Sequence, residues 1–162
     1  MICLVFRVGI IGPESTGKST LARYLSHKYD GVLVPEYARE YMEERALACA
    51  YTEEDVLRIA QHQIAELQEL ENTHTEDKVA FFDTELIITK VWLLHKYGEC
   101  PAFIEQAIAD FPMDVYLLCY PDLPWEPDPV RENPTIREYL FDRYEREIQA
   151  LNIPYYIIRH SV

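Results

Sequence analysis

The feature that most constrains this chain is the run GPESTGKS at 12–19, set between an apolar segment and a helical one. The segment before it, Leu4–Ile11, is rich in Val, Ile and Phe and reads as a buried strand. Behind it, Leu21, Ala22 and Leu25 step at helical spacing in a helix that begins near Lys18. The run satisfies G-x-x-x-x-G-K-[ST], the phosphate-binding P-loop, in the strand–loop–helix context it needs. Gly12 and Gly17 let the backbone turn tightly around a phosphate. The N–H groups of the loop, through Glu14, Ser15 and Thr16, and the helix N-terminus at Ser19 and Thr20 attract anionic oxygen. Lys18 is expected to reach the β- and γ-phosphates of ATP, and the Ser19 hydroxyl to ligate Mg²⁺.

The rest of the chain repeats the alternation. Val32–Val34 reads as a short strand cut by Pro35. Thr52 with Asp55 forms a variant capping box, and Val56, Ile59, Ala60, Ile64, Leu67 and Leu70 continue a helix to about Thr73. Val79–Phe82 is a strand ending in Asp83. Leu86, Ile87, Val91 and Leu94 mark a helix that Gly98 terminates, and a short helix covers about 102–109. Val115–Cys119 and Tyr155–Ile158 are the remaining strands. Ile136, Leu140, Tyr144 and Ile148 mark the last helix, with Asn133 and Pro134 as its cap and first turn. Strands that are apolar at every position predict an α/β fold, a parallel sheet with helices on both faces.

Between the last two of these units, 121–134 (PDLPWEPDPVRENP) carries five of the ten prolines. Such a segment cannot be a regular helix or a central strand. About 28 residues follow it, too few for a second domain, so we read 1–162 as one domain with a functional loop or lid. A net charge of −13 repels phosphate backbones and anionic lipids, which argues against nucleic-acid and membrane partners. Cysteines at 3, 49, 100 and 119 form no C-x-x-C pair. They read as free thiols in a reducing compartment, and with no signal peptide or apolar span of about 20 residues the expected location is cytoplasmic.

Ligands of parallel sheets bind beyond the carboxyl ends of the strands. Four groups of residues sit there. Asp83 ends a strand beside the phosphate loop, and can hold Mg²⁺, accept the proton of an acceptor hydroxyl, or simply cap a helix. Glu85 follows in D-T-E and counts among the substrate-side candidates. Glu36, Tyr37 and Arg39 follow the second strand, either facing the acceptor or forming a helix-start ion pair. In the proline-rich loop, Arg131 can close over the triphosphate and Trp125 can stack on a ring, or both belong to a surface loop. His62 and His74 read as surface residues.

These stretches, GPESTGKSTLA (12–22), VPEYAREY (34–41), FFDTELIITKVW (81–92) and YLLCYPDLPWEPDPVR (116–131), resemble the ribosylnicotinamide kinase domain of the NadR family. The resemblance spans about 8–159. It implies a P-loop three-layer fold with a five-stranded sheet in nucleoside-kinase order, the first strand central. It implies ATP- and Mg²⁺-dependent phosphorylation of the 5′-hydroxyl of nicotinamide riboside, a small-molecule nucleoside, to nicotinamide mononucleotide. By the same resemblance, Lys18 and Ser19 serve ATP and Mg²⁺, and Asp83 serves the metal or the acceptor hydroxyl. Glu36, Tyr37 and Arg39 line the acceptor side, Trp125 and Asp128 approach the nucleoside, and Arg131 acts in the lid. The chain departs from the family in its lid, where Pro129-Val130 precede Arg131 in place of a glycine, and in ending at Val162 without the usual final helix. Its 162 residues also leave no room for the adenylyltransferase and DNA-binding domains that longer NadR proteins carry. Two other readings stay open: a different P-loop nucleoside or nucleotide kinase, and a non-catalytic ATP-binding module.

Overall fold

The last four residues of the first strand, β1 (Phe6–Ile11), are all buried, and its side chains point alternately into two cores. Val8 and Ile10 face one side, packed with Ala22, Phe81 and Cys119. Ile11 faces the other, larger core of Phe82, Leu86, Val91, Leu118, Leu140 and Ile148. A strand buried on both faces must be central, as parallel sheets require. The computed structural model describes residues 5–47, 50–73 and 78–160. Its other elements are α1 (Lys18–Lys28), β2 (Val32–Val34), α2 (Tyr37–Glu44), α3 (Glu53–Thr73), β3 (Val79–Asp83), α4 (Leu86–Tyr97), α5 (Ala102–Asp110), β4 (Val115–Cys119), α6 (Arg137–Leu151) and β5 (Tyr155–Ile158).

The five strands form one sheet in the order β2-β3-β1-β4-β5, all neighbours parallel. Ile10 pairs with Asp83 and Ile11 with Leu118, so the carboxyl ends of β1, β3 and β4 lie side by side. The helix α1 covers the face of Val8 and Ile10, while α4 and α6 lie over the opposite face. The result is the expected three-layer α/β fold. Gly9 is required where it stands, because a Cβ there would lie 2.7 Å from the Tyr116 ring.

Local signals explain most boundaries. Thr52 and Asp55 make the anticipated reciprocal cap: the Thr52 N–H and hydroxyl donate to Asp55 Oδ2 at 2.8 and 2.9 Å, and the Asp55 N–H donates to Thr52 Oγ1 at 3.3 Å. Gly98, in the left-handed region at φ 85°, ends α4. The segment after Pro35 is a helix, α2, in keeping with the helix-start reading of Glu36 and Arg39, and its buried side chains are only Tyr41 and Met42. One expectation is corrected. The last helix begins at Arg137 with Ile136 as its cap residue, four residues after the Asn133 start expected, and Asn133 belongs to the loop, its N–H donating to Glu14. Leu4, Cys3, Cys49 and His74 lie outside the described residues, as does the start of the first predicted strand. Cys100 and Cys119 are free thiols. Among the described residues, no helix is long and apolar enough to cross a membrane.

Candidate active site

The phosphate loop leaves β1 at Gly12, whose φ of 151° and close approach to the Cys119 carbonyl exclude a side chain: a Cβ would sit 2.6 Å from that oxygen. Thr16 is buried and its hydroxyl donates to the Pro13 carbonyl at 2.8 Å, bracing the turn from inside. Gly17, at φ 79°, is the N-cap of α1. Lys18 Nζ donates to the Pro13 carbonyl at 2.7 Å, so the ammonium lies folded over the loop it serves. A cavity opens over this loop. Glu14, Ser15, Thr16, Gly17, Lys18, Ser19 and Thr20 line it, with Arg23 from α1 and Leu123, Glu126, Asp128 and Arg131 from the proline-rich loop. Backbone donors, a lysine and a helix N-terminus have the chemistry that suits a polyphosphate.

A second cavity adjoins the first. Glu14, Lys18, Glu36, Arg39 and Val130 border both. Its other walls are aromatic and aliphatic: Tyr51, Trp92, Ile88, Met42, Leu140 and Tyr144, with Glu132, Asn133 and His95. Tyr51 and Trp92 meet edge to face at 4.7 Å, and the Trp92 indole N–H donates to the Tyr51 oxygen at 2.7 Å. Ile88 and Trp92 lie in a stretch quoted for the resemblance, Glu132 and Asn133 in the proline-rich segment, and Leu140 and Tyr144 on the last predicted helix, but none of them stood out as a site residue. They come from five separate elements or loops, so no local spacing connects them.

Glu36 is half-buried between the cavities. Burial raises its carboxyl above the usual range, and the nearby Lys18 ammonium opposes that shift. It also occupies the N-cap position of α2, without a side-chain capping bond, and stands 3.8 Å from Arg39, so it forms the helix-start ion pair and borders both cavities. Arg39 is held by Asp128 of the lid, at 3.0 and 3.2 Å from Nη1, and by Glu43 at 3.3 Å. The Val130 N–H and the Arg39 guanidinium hold the Asp128 carboxyl below its usual range. Arg131 borders the phosphate cavity, its Nη1 donating to the Glu126 carbonyl at 2.7 Å.

Asp83 ends β3 beside Ile10 and is buried. It does not cap the following helix. That role belongs to Glu85, whose carboxylate accepts from the Ile87 N–H at 3.0 Å. Asp83 Oδ1 is buried with no hydrogen-bond partner among the described residues. An anionic oxygen left so is costly without a cation, which fits a metal ligand. Ser19 borders the phosphate cavity, and no ready-made cluster of three or more His, Cys, Asp or Glu exists among the described residues. That donor set suits Mg²⁺, which takes few protein ligands and completes its shell with phosphate and water.

Three candidates stand apart from both cavities. Glu85 is fully buried, because the left-handed turn at Thr84 (φ 72°) redirects the chain into the core. Burial pushes its carboxyl up to about 7 against hydrogen bonds from the Ile87 and Leu86 N–H groups and Tyr116. The Tyr37 ring stacks on His62 at 3.4 Å. Trp125 packs in the lid with the Arg137 guanidinium 6.0 Å from its ring centre.

Comparison with known proteins bears on the fold and the family. The trifunctional NAD biosynthesis/regulator proteins NadR of Salmonella typhimurium and Escherichia coli K12 are each 27% identical over 128 residues. Those matches cover 76% of this chain but 30% of the relatives, so the chain corresponds to one part of much longer proteins. A crystal structure of NadR protein in complex with NR superposes with a TM-score of 0.81 at 23% identity, covering 96% of this chain and 45% of that one. Thymidylate kinase from Ehrlichia chaffeensis superposes at 0.60 with 17% identity, covering 98% and 88%. Likeness at such identities is likeness of fold. The family described as an AAA domain matches residues 7–162, nearly every residue from β1 onward, and the chain belongs to that family.

Proposed function

We propose that the protein is an ATP-dependent kinase that phosphorylates the 5′-hydroxyl of nicotinamide riboside, giving nicotinamide mononucleotide for NAD salvage in the cytoplasm. The observation that carries this reading is the pair of cavities joined at Lys18, Glu36 and Glu14. A protein that only holds ATP needs one such site, whereas a transferase needs a donor and an acceptor site that meet where the phosphoryl group crosses. The chemistry of the acceptor cavity favours a nucleoside over a nucleotide. Its one arginine is occupied by Asp128, Glu43 and Glu36, leaving little to bind a second phosphate. Aromatic walls beside Glu36 and Glu132 suit a flat, positively charged ring such as nicotinamide. The NadR protein of the same fold was crystallised with NR.

In this mechanism the loop N–H groups and Lys18 hold the triphosphate in line with the acceptor. Glu36, at the junction and with its proton affinity raised by burial, takes the proton of the attacking hydroxyl. Ser19 and Asp83 would hold Mg²⁺, which when bound would supply positive charge against the charge that develops during transfer. Arg131 reaches the phosphate cavity from the lid and adds positive charge where the transition state needs it. ADP release from Mg-ATP, measured with and without nicotinamide riboside and with the product identified by mass, tests the reading. Nicotinamide mononucleotide as product supports it. Turnover with another nucleoside replaces the acceptor, and ATP binding without any acceptor-dependent turnover overturns it.

A further inference from the structure

In a P-loop the backbone does the phosphate binding, and the side chains of the variable positions are not needed for it. Glu14 occupies one of these positions, bordering both cavities beside Lys18. A half-buried carboxylate next to a polyphosphate site is doubly unfavourable, through desolvation and through repulsion of the ligand. The structure shows what Glu14 does there. Its oxygens accept the backbone N–H of Glu132 at 3.3 Å and of Asn133 at 3.0 Å, across 118 and 119 residues of sequence. Burial raises its carboxyl, and those two N–H groups with Lys18 act against the shift.

Glu132 is held from its other end as well. Its carboxylate accepts from the Tyr51 hydroxyl and pairs with Lys96 at 3.3 Å, and both partners meet Trp92 through the Tyr51 oxygen. One lid residue therefore has its backbone gripped by the phosphate loop and its side chain gripped by the wall of the acceptor cavity. Arg131 is the residue immediately before it. We infer that Glu14 and Glu132 form a joint between the two cavities, with Glu14 as a positioning residue that sets the lid and Arg131 over the phosphate loop. Occupancy of the acceptor wall is passed to that joint through Tyr51. The role given to Arg131 rests on the kinase reading; the joint itself does not.

Trypsin reads the joint directly, because the bond it cuts after Arg131 is the one whose N–H donates to Glu14. Cleavage there is followed by mass spectrometry against cleavage after Arg58, inside α3 beside the buried Ile59, which reports opening of the helix from the core. Glu14→Ala is expected to speed cleavage at Arg131 by about tenfold or more, the loss of a charged hydrogen bond, with the Arg58 rate unchanged. Glu14→Gln, whose amide oxygen still accepts one N–H, should fall between, and Tyr51→Phe should speed the same cut. Equal rates at Arg131 in wild type and Glu14→Ala overturn the inference. Should Glu14→Ala accelerate both sites together, the Gln variant decides, and no change at Arg131 in it also overturns the inference. In turnover assays Glu14→Ala should lower kcat more than it raises KM for ATP, with most of kcat restored in Glu14→Gln. A wild-type protein with no transfer to nicotinamide riboside removes the kinase reading and leaves the proteolysis result to stand alone.

Discussion

Replacing Glu85 with Gln should make the stability of this domain less sensitive to pH near neutrality. Glu85 is 5% exposed, caps α4 through the Ile87 N–H, and keeps its proton up to about 7 rather than 4.5. The folded state thus binds a proton that the unfolded state releases between these values. Stability is lost as pH rises from 4.5 and the loss is complete above about 7. At roughly 1.4 kcal/mol per pH unit the loss is on the order of 3 kcal/mol. Glutamine cannot ionise, yet its amide oxygen can still accept the Ile87 N–H. The stability difference between Glu85→Gln and wild type should therefore move in favour of the variant by about that amount between pH 5 and pH 8. Urea unfolding at both pH values, in EDTA so that metal at Asp83 does not contribute, measures the difference. Other titrating groups cancel in it. A difference that stays constant to within about 0.5 kcal/mol refutes the reasoning and returns Glu85 to an ordinary, water-accessible carboxylate.

Thr52→Ala removes one half of the reciprocal cap on α3 and should cost about 1 kcal/mol, lowering Tm by roughly 2–4 °C in calorimetry. Asp83→Asn should lower kcat by about 100-fold while ATP binding, followed by titration calorimetry, changes far less; equal modest losses would show the carboxylate to be structural. Gly12→Ala drives a methyl group into the Cys119 carbonyl, so the phosphate loop must shift, and the variant should fail to bind ATP even where circular dichroism shows it folded. Tight binding of ATP by that variant would contradict the close approach seen at the end of β1.

What could be read from the sequence follows from how local each signal is. The phosphate loop, the strand ends and the cap at Thr52 are encoded by residues within a few positions of one another. The sheet was legible because its strands are apolar on both faces. Helix α2 was legible only at its start, through Glu36 and Arg39, since YAREYMEE buries only Tyr41 and Met42 and offers no stretch of periodicity. The D-T-E run placed Glu85 among the substrate-side candidates, but one left-handed residue leaves Asp83 at the strand end and turns Glu85 into the core. The acceptor cavity was invisible because Met42, Tyr51, Trp92 and Glu132 converge only after folding. The grip on the lid is made by backbone N–H groups of Glu132 and Asn133, which no side-chain motif can advertise.

The shared border of the two cavities has a practical consequence. Val130 and Glu36 line both, so in the kinase reading the terminal phosphate and the acceptor would meet at that shared border. A single compound that joins an adenosine polyphosphate to a nucleoside through its 5′-oxygen would span the two cavities across it. Its second half would bind at the high effective concentration that a short tether gives, without a second loss of rotational and translational freedom. Shortening the tether by one phosphate would forbid simultaneous occupancy, so a ladder of such compounds would act as a ruler for the distance across the transfer point.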